Sequence, residues 1–290
     1  MTLISSLRRF ARPTLTVASV LLLATVAAAQ NRYHPNPPAS SYGWRHDELF
    51  ALITALTGVS FLIVLVMLLI PVIRDRARPG HKAHYDAGNS LHDKRFTAVV
   101  SVIVFIVLDA WVLVIAMRDL QQGQWNVPKN ADPVNALRVQ VLAQQWAWNF
   151  RLPGVDGEFN TPDDILTINE LTVPASSMPP DDEPYGDGRP IILNLSSKDV
   201  IHSFFVPDMR IKRDANPGAI NQAWFMPIKT GDFDILCAEL CGYAHYQMHG
   251  MLHVLPDAEF DVWEQEASRQ ALAAYDEEDT EAHWAWDWQE

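Results

Sequence analysis

Two cysteines four residues apart, Cys237 and Cys241, are the only thiols in a chain of 290 residues. The segment that holds them, CAELCGYAHYQM, also supplies an imidazole at His245 and a thioether at Met248. In an exported domain two cysteines first suggest a disulfide, but the flanking histidine and methionine point to a metal. A further histidine, His202, stands just after a strand in KDVIHSFFVP, where a neighbouring loop of a sandwich could bring it close. Thiolate with imidazole suits copper or zinc, and a thioether is a soft ligand that favours copper. A closed Cys2His2 zinc site is the rival; it would leave Met248 without a role and could not carry an electron. A single-copper site would use one cysteine and leave the other idle. Two thiolates are better used as bridges between two metal ions, each finished by one histidine and one weaker ligand.

The elements that must position these residues are legible from hydropathy and charge. Residues 1–29 run from a basic start (Arg8, Arg9, Arg12) through an apolar stretch to small residues, the layout of a cleaved export signal. The uncharged run from Leu49 to Ile73 would be roughly 37 Å long as a helix, enough to cross a bilayer. A second span, Phe96 to Met117, has Asp109 as its only ionisable group. The loop between them holds six Lys/Arg against three Asp, which places it in the cytoplasm by the positive-inside rule. The segment 30–48 and everything after Met117 then face the outer, periplasmic side of a bacterial-type inner membrane.

That outer portion is long enough for a domain with its own core. From Asp119 to Glu290 it carries 29 Asp/Glu against 10 Lys/Arg, an excess of 19 negative charges. Such a surface repels nucleic acid and favours a basic protein partner. After a polar linker, short runs rich in β-branched residues at 136–142, 165–168, 190–196, 232–236 and 251–255 predict a β-sandwich or barrel over 118–256. The insertion SSMPPDDEPYGDGRP, between a strand near Leu171-Thr172-Val173 and the next, reads as an exposed loop. Phe260, Trp263 and Ala267 predict an amphipathic helix from Asp257, and the chain closes in an acidic tail with Trp284, Trp286 and Trp288, read as mobile or docked on a partner.

CAELCGYAHYQM resembles the dinuclear CuA loop of subunit II of haem-copper oxygen reductases, and DVIHSFFVPDMRIKRDANPG resembles the element that supplies that family's first histidine. The likeness extends over nearly the whole mature chain, including the two-helix hairpin. It implies an all-β cupredoxin-like domain (a Greek-key barrel or sandwich) after a transmembrane hairpin. It implies two copper ions bridged by Cys237 and Cys241, with His202 and His245 binding one each, Met248 a weak ligand to one and the Glu239 carbonyl a weak ligand to the other. The Glu239 side chain would help hold magnesium or manganese at the boundary with the catalytic subunit I, where Arg210, Lys212, Arg213 and Asp214 would also sit. Trp146, in QQWAWNFRLPG, matches the family's exposed tryptophan where an electron arrives; Trp148 reads as a core aromatic. Ala147 and Phe150 depart from the tyrosine-rich neighbourhood usual there.

His249 is left as a surface or supporting residue and His253 as a strand residue used for packing. The glutamate that many members carry at the cytoplasmic start of the second helix is absent from HDKRFTAVV, which leaves Asp93 and Asp109 as the acids available for a proton path. The function implied is a redox subunit embedded in membrane lipid that accepts electrons from cytochrome c and passes them to the haem-copper subunit for reduction of oxygen to water coupled to proton translocation. The chain has no Cys-x-x-Cys-His sequence for a covalent haem. The rival readings are a copper-free quinol-oxidase subunit II, which the intact ligand set opposes, a CuA subunit of another reductase such as one for nitric oxide, and a copper-storage protein.

Overall fold

In the computed structural model, residues 37–80, 82, 88–121, 136–177 and 189–278 are described. The export signal, the start of the exported segment, the middle of the cytoplasmic loop, the linker after the second helix, most of the acidic insertion and the tail from residue 279 lie outside the described residues. The chain divides into two units, one holding residues 45–119 and the other residues 38–44 and 120–290.

Helix α1 spans Gly43–Arg74, and from residue 45 onward it belongs to the first unit. The second span is continuous from Leu91 to Leu120: helix α2 (Leu91–Val102), a π-helical stretch (Ile103–Asp109) and helix α3 (Ala110–Leu120). Both begin several residues before the uncharged runs do, because Arg45, Glu48 and Lys94 are helix formers that hydropathy alone passes over. Both helices are strongly apolar, and their apolar side chains point outward, as a bilayer solvent requires. Ser90 caps α2 by accepting from the Asp93 amide at 3.1 Å. The Ser90 hydroxyl in turn donates to the Asp93 carboxylate, which turns its oxygen toward the helix start as an N-cap acceptor.

In the second unit, ten strands form two five-stranded sheets in the orders β3-β2-β1-β5-β8 and β4-β10-β9-β6-β7. They are β1 (Leu137–Gln144), β2 (Ala147–Leu152), β3 (Ile165–Ile168), β4 (Glu170–Pro174), β5 (Ile191–Ser197), β6 (His202–Val206), β7 (Ile211–Ala215), β8 (Asn221–Phe225), β9 (Gly231–Cys237) and β10 (His249–Leu255). Most neighbours are antiparallel, while β1 with β5 and β4 with β10 run parallel, so the chain crosses between sheets in a cupredoxin-like Greek key. Alternate residues of both sheets (Val139, Val141, Trp148, Phe150, Leu193, Leu195, Phe204, Leu252) meet in one core from which water is excluded. Trp148 is fully buried there, as expected of a core aromatic. Helix α4 (Asp257–Ala274) closes one end, with Phe260 in the core and Trp263 and Ala267 packed against it. His202 is not placed after a strand: it opens β6, and that gives its ring a fixed direction into the sandwich.

Candidate metal centre

The site is built where two adjacent strands meet a loop. Strands β6 and β9 pair so that Phe204 lies opposite Cys237. His202, two residues earlier on the same face as Phe204, thereby reaches the end of β9 where Cys237 emerges. The loop 238–248 folds back on itself: the Cys237 amide donates to the Met248 carbonyl at 3.3 Å, and the Met248 amide to the His245 carbonyl at 3.2 Å. It is tied to the other sheet by the Gln145 side-chain amide, which donates to the Cys241 carbonyl at 2.7 Å. Gly242 is required at this tie. Its φ is +122°, and a Cβ there would come 2.7 Å from Gln145 Nε2 and 3.3 Å from the Trp146 ring.

Six donors converge. The two sulfurs are 3.7 Å apart, far longer than a disulfide bond, and both cysteines are free thiols. His202 Nδ1 lies 3.1 Å from Met248 Sδ and 4.0 Å from Cys237 Sγ. Cys241 Sγ lies 3.6 Å from His245 Nδ1 and 3.7 Å from Met248 Sδ, and Cys237 Sγ lies 3.2 Å from the Glu239 carbonyl oxygen. The Cys237 sulfur therefore faces His202 and the Glu239 carbonyl, the Cys241 sulfur faces His245 and Met248, and Met248 also touches His202. Cys241, Met248 and His202 are almost entirely buried. A donor set of two thiols, two imidazoles and a thioether, mostly dry, fits a soft metal and suits copper better than zinc.

Asp199, which sequence reasoning missed, orients the first histidine. Its Oδ1 lies 2.9 Å from His202 Nε2, and its Oδ2 accepts from the Gln145 amide at 2.7 Å. That holds the proton on Nε2 and turns Nδ1 toward the sulfurs, the arrangement by which an outer carboxylate fixes a metal-binding imidazole. The signal was present three residues upstream of His202, in KDVIH. Burial alone would raise the Asp199 pKa, but His202 and the Gln145 and Val200 amides outweigh it and hold it low. Burial likewise opposes charge on His202, and Cys237 and Asp199 outweigh that and raise its pKa.

The thiols differ. Burial disfavours both thiolates, yet His202 and backbone contacts at Ser203 and Glu239 bring Cys237 down to about 6. Burial, with the neighbouring Cys237 thiolate, pushes Cys241 up to about 12. The first thiolate is available at neutral pH and the second needs a cation to replace its proton, so loading releases protons and strengthens as pH rises.

The sequence model of the family described as "Cytochrome C oxidase subunit II, periplasmic domain" matches residues 137–254. The chain is 31% identical to the "Alternative cytochrome c oxidase subunit 2" of Bradyrhizobium diazoefficiens, over 86% of this chain and 91% of that protein. The chain belongs to the cytochrome c oxidase subunit II family. It is also 33% identical to the cytochrome c oxidase subunit 2 of Thermostichus vulcanus, over 57% of this chain and 43% of that protein. Among solved structures, the periplasmic domain of subunit II of cytochrome oxidase (CoxB) of Bradyrhizobium japonicum is 29% identical, with a TM-score of 0.40 over 50% of this chain and 99% of that one.

Membership in the subunit II family makes the chain part of a haem-copper terminal oxidase and implies copper at this site. Around it, Trp146 occupies the turn between β1 and β2, 37% exposed, with its ring against Gly242 of the cysteine loop. The Glu239 side chain is exposed. Arg210, in a left-handed turn (φ 54°), donates to the Pro207 carbonyl at 2.7 Å. Lys212 and Asp214 pair at 3.6 Å on β7, and the Ser203 hydroxyl donates to Asp214 at 2.6 Å, while Arg213 on the same strand is half-buried. Asp109 ends the π-helical stretch of the second span and is exposed on it.

His249 and His253 stand outside the donor cluster. His249 lies 2.8 Å from Asp234 on the surface. His253 is not a packing residue: its ring lies 2.7 Å from Asp232 by Nδ1 and meets Glu170 by Nε2 on the outer face of the sheet. Burial would lower its pKa, and the two carboxylates outweigh that and raise it.

Asp199→Asn tests the orienting role. The amide keeps the shape but loses the charge and turns a donor toward either Gln145 or His202. Copper affinity is expected to fall by roughly 10- to 100-fold, measured by competition with a chelator of known affinity, with the fold unchanged by circular dichroism. An unaltered affinity would show that His202 is held by packing against Trp148 alone.

Proposed function

We propose that this chain is the electron-accepting subunit of its oxidase, receiving electrons one at a time from cytochrome c or a similar basic carrier. The convergence of both thiols with His202, His245, Met248 and the Glu239 carbonyl supports this reading. Cys237 and Cys241 would bridge two copper ions, His202 and Met248 completing one and His245 and the Glu239 carbonyl the other. Bound there, the pair of ions would supply a centre that shares one exchangeable electron with little rearrangement. The protein's part is to hold the donors rigid: β6 and β9 fix His202 and Cys237, Asp199 sets the tautomer of His202, and the packed core keeps water out. Trp146 is exposed on one side and lies against the cysteine loop on the other, which suits it to take up the electron from the docked donor. The acidic excess of the outer portion attracts a basic donor and speeds its arrival.

The partner for the outgoing electron is the haem-copper subunit I, with Arg210, Lys212, Arg213 and Asp214 on the β6–β7 side as candidates for that boundary and the Glu239 carboxylate as a candidate ligand for magnesium or manganese there. Asp109 and Asp93 are the candidates for a proton path; the hydrogen bonding of Asp93 within the cap of α2 favours Asp109. The helices would cross the membrane with the β domain on the periplasmic side.

Copper content and electron paramagnetic resonance of the full chain in detergent test this reading. Two coppers per chain with a seven-line pattern from one electron shared over both nuclei is the expected result. One zinc, or a disulfide between Cys237 and Cys241 that copper does not displace, would overturn it. Trp146→Phe is expected to slow oxidation of the donor roughly tenfold or more, about 1.4 kcal/mol of barrier, with the copper signal intact. Loss of copper would make Trp146 a packing residue of the loop.

A further inference from the structure

Three neighbouring strands meet at the His253 ring. Strand β10 lies between β4 and β9, and His253 stands opposite Thr172 of β4 and Asp232 of β9. Leu252 and Val254 on either side of it are buried in the core, so the imidazole stands on the outer face. Its Nδ1 lies 2.7 Å from Asp232 of β9, and its Nε2 meets the carboxylate of Glu170 of β4. Both ring nitrogens therefore face acceptor oxygens. A neutral imidazole has one N–H to donate and turns a lone pair toward the second carboxylate, whereas the imidazolium donates from both nitrogens. The arrangement suits the charged ring.

The charges nearby are mostly acidic. Asp234, two residues along β9, and His249, four residues back on β10, hold each other at 2.8 Å. Asp257 and Glu259 lie in the first turn of α4, and Lys229 stands just before β9. Burial alone would lower the His253 pKa; Asp232 and Glu170 outweigh it and raise it.

Glu170 also sits at a corner of the fold. Asn169, at φ 60°, carries the chain from β3 in one sheet to β4 in the other. Its amide donates to the Trp148 carbonyl at 2.7 Å, its side-chain oxygen accepts from the Trp148 amide at 2.8 Å, and its carbonyl accepts from the Met251 amide at 2.7 Å. The corner thus grips the backbone of Trp148, whose ring packs beside His202.

We propose that His253, with Asp232 and Glu170, is a pH-sensitive clamp that closes when the ring takes up a proton and fastens the Asn169–Glu170 corner to β10 and β9. Acid closes it and alkali opens it. The folded chain holds this proton more tightly than the unfolded chain does. The stabilisation is therefore complete below the ordinary histidine value of about 6.5 and is lost as pH rises through the raised one.

The clamp needs no metal, so the copper-free full chain in detergent serves for the test, by histidine-selective carbon-13 NMR and hydrogen–deuterium exchange. The variants are His253→Gln, Asp232→Asn and Glu170→Gln. The signal lost in His253→Gln identifies the ring. It is expected to titrate above the ordinary histidine value, and Asp232→Asn and Glu170→Gln should each lower its midpoint. Corrected for the intrinsic effect of pH, exchange of the Trp148, Asn169 and Met251 amides should quicken roughly two- to fivefold through the same titration, the range set by exposed ion pairs. His253→Gln should exchange at the faster level throughout. Should that variant unfold, the two isosteric ones decide, since each must lower the midpoint and shrink the change in exchange. Titration at the ordinary value, or exchange that does not follow the titration, would overturn the proposal.

Discussion

Cys237→Ser is expected to abolish the shared-electron copper signal and with it oxidation of the external donor. Cys237 Sγ stands beside His202 at 4.0 Å, Cys241 at 3.7 Å and the Glu239 carbonyl at 3.2 Å. It thus meets an imidazole, the other thiol and a backbone carbonyl at once. A serine hydroxyl stays protonated at neutral pH, where the Cys237 thiol, at about 6, is largely ionised, and oxygen is a harder ligand than copper prefers in such a site. The remaining thiol, Cys241, is still raised by burial once the Cys237 thiolate is gone, and has no second sulfur to share a metal with. Copper should fall below two per chain and the seven-line pattern should vanish. Cys237 sits at the end of β9, half-buried at the rim of the core, so the domain should still fold; circular dichroism checks that. A surviving seven-line pattern would show that Cys237 does not bridge.

How much of this was legible in the sequence follows from the range of the interactions involved. The cysteine loop was legible because five of its donors fall within twelve consecutive residues and only the chain's own turn is needed to gather them. The two apolar helices were legible because their apolar runs are long, and they continue beyond those runs because polar helix formers extend a helix past its hydrophobic stretch. Strands β2, β6, β7 and β8 were not singled out. Trp148, Phe150, Asn149 and Arg151 show why: in β2 the polar members Asn149 and Arg151 are buried as well as the apolar ones, so no clean alternation marks it. Asp199 escaped for a different reason. A carboxylate three residues from a histidine is common, and only the pairing of β6 with β9 turns the imidazole so that one nitrogen meets Asp199 while the other meets the sulfurs. His253 was read as packing because its partners, Asp232 and Glu170, come from two other strands.

Phe204→Ala is expected to lower the unfolding free energy of the β domain by about 3–5 kcal/mol. The ring is fully buried, 5.4 Å from Trp148 at 87° and 6.3 Å from Phe150 at 79°, the edge-to-face geometry that aromatic pairs favour. Its removal leaves a cavity that two rigid neighbours can fill only in part. Against a total stability of about 5–15 kcal/mol for a typical domain, the variant should fold with a narrow margin, and Phe204→Leu should recover much of the loss. The measurement is urea unfolding of the copper-free full chain in detergent, followed by tryptophan fluorescence. The effect should also reach the metal centre. Trp148 stands between Phe204 and His202, its ring 6.2 Å from the imidazole, and Phe204 lies opposite Cys237 in the strand pairing. A Trp148 ring free to tilt into the cavity no longer braces His202, so copper should bind more weakly and its signal should broaden even though no donor has been changed. A loss below about 1 kcal/mol, smaller than the usual cost of a truncated core aromatic, with an unaltered copper signal would show that the strands alone hold the donors. In that case the rigidity of the site would come from the β6–β9 pairing and the bond of Asp199 to His202, not from the aromatic core beneath.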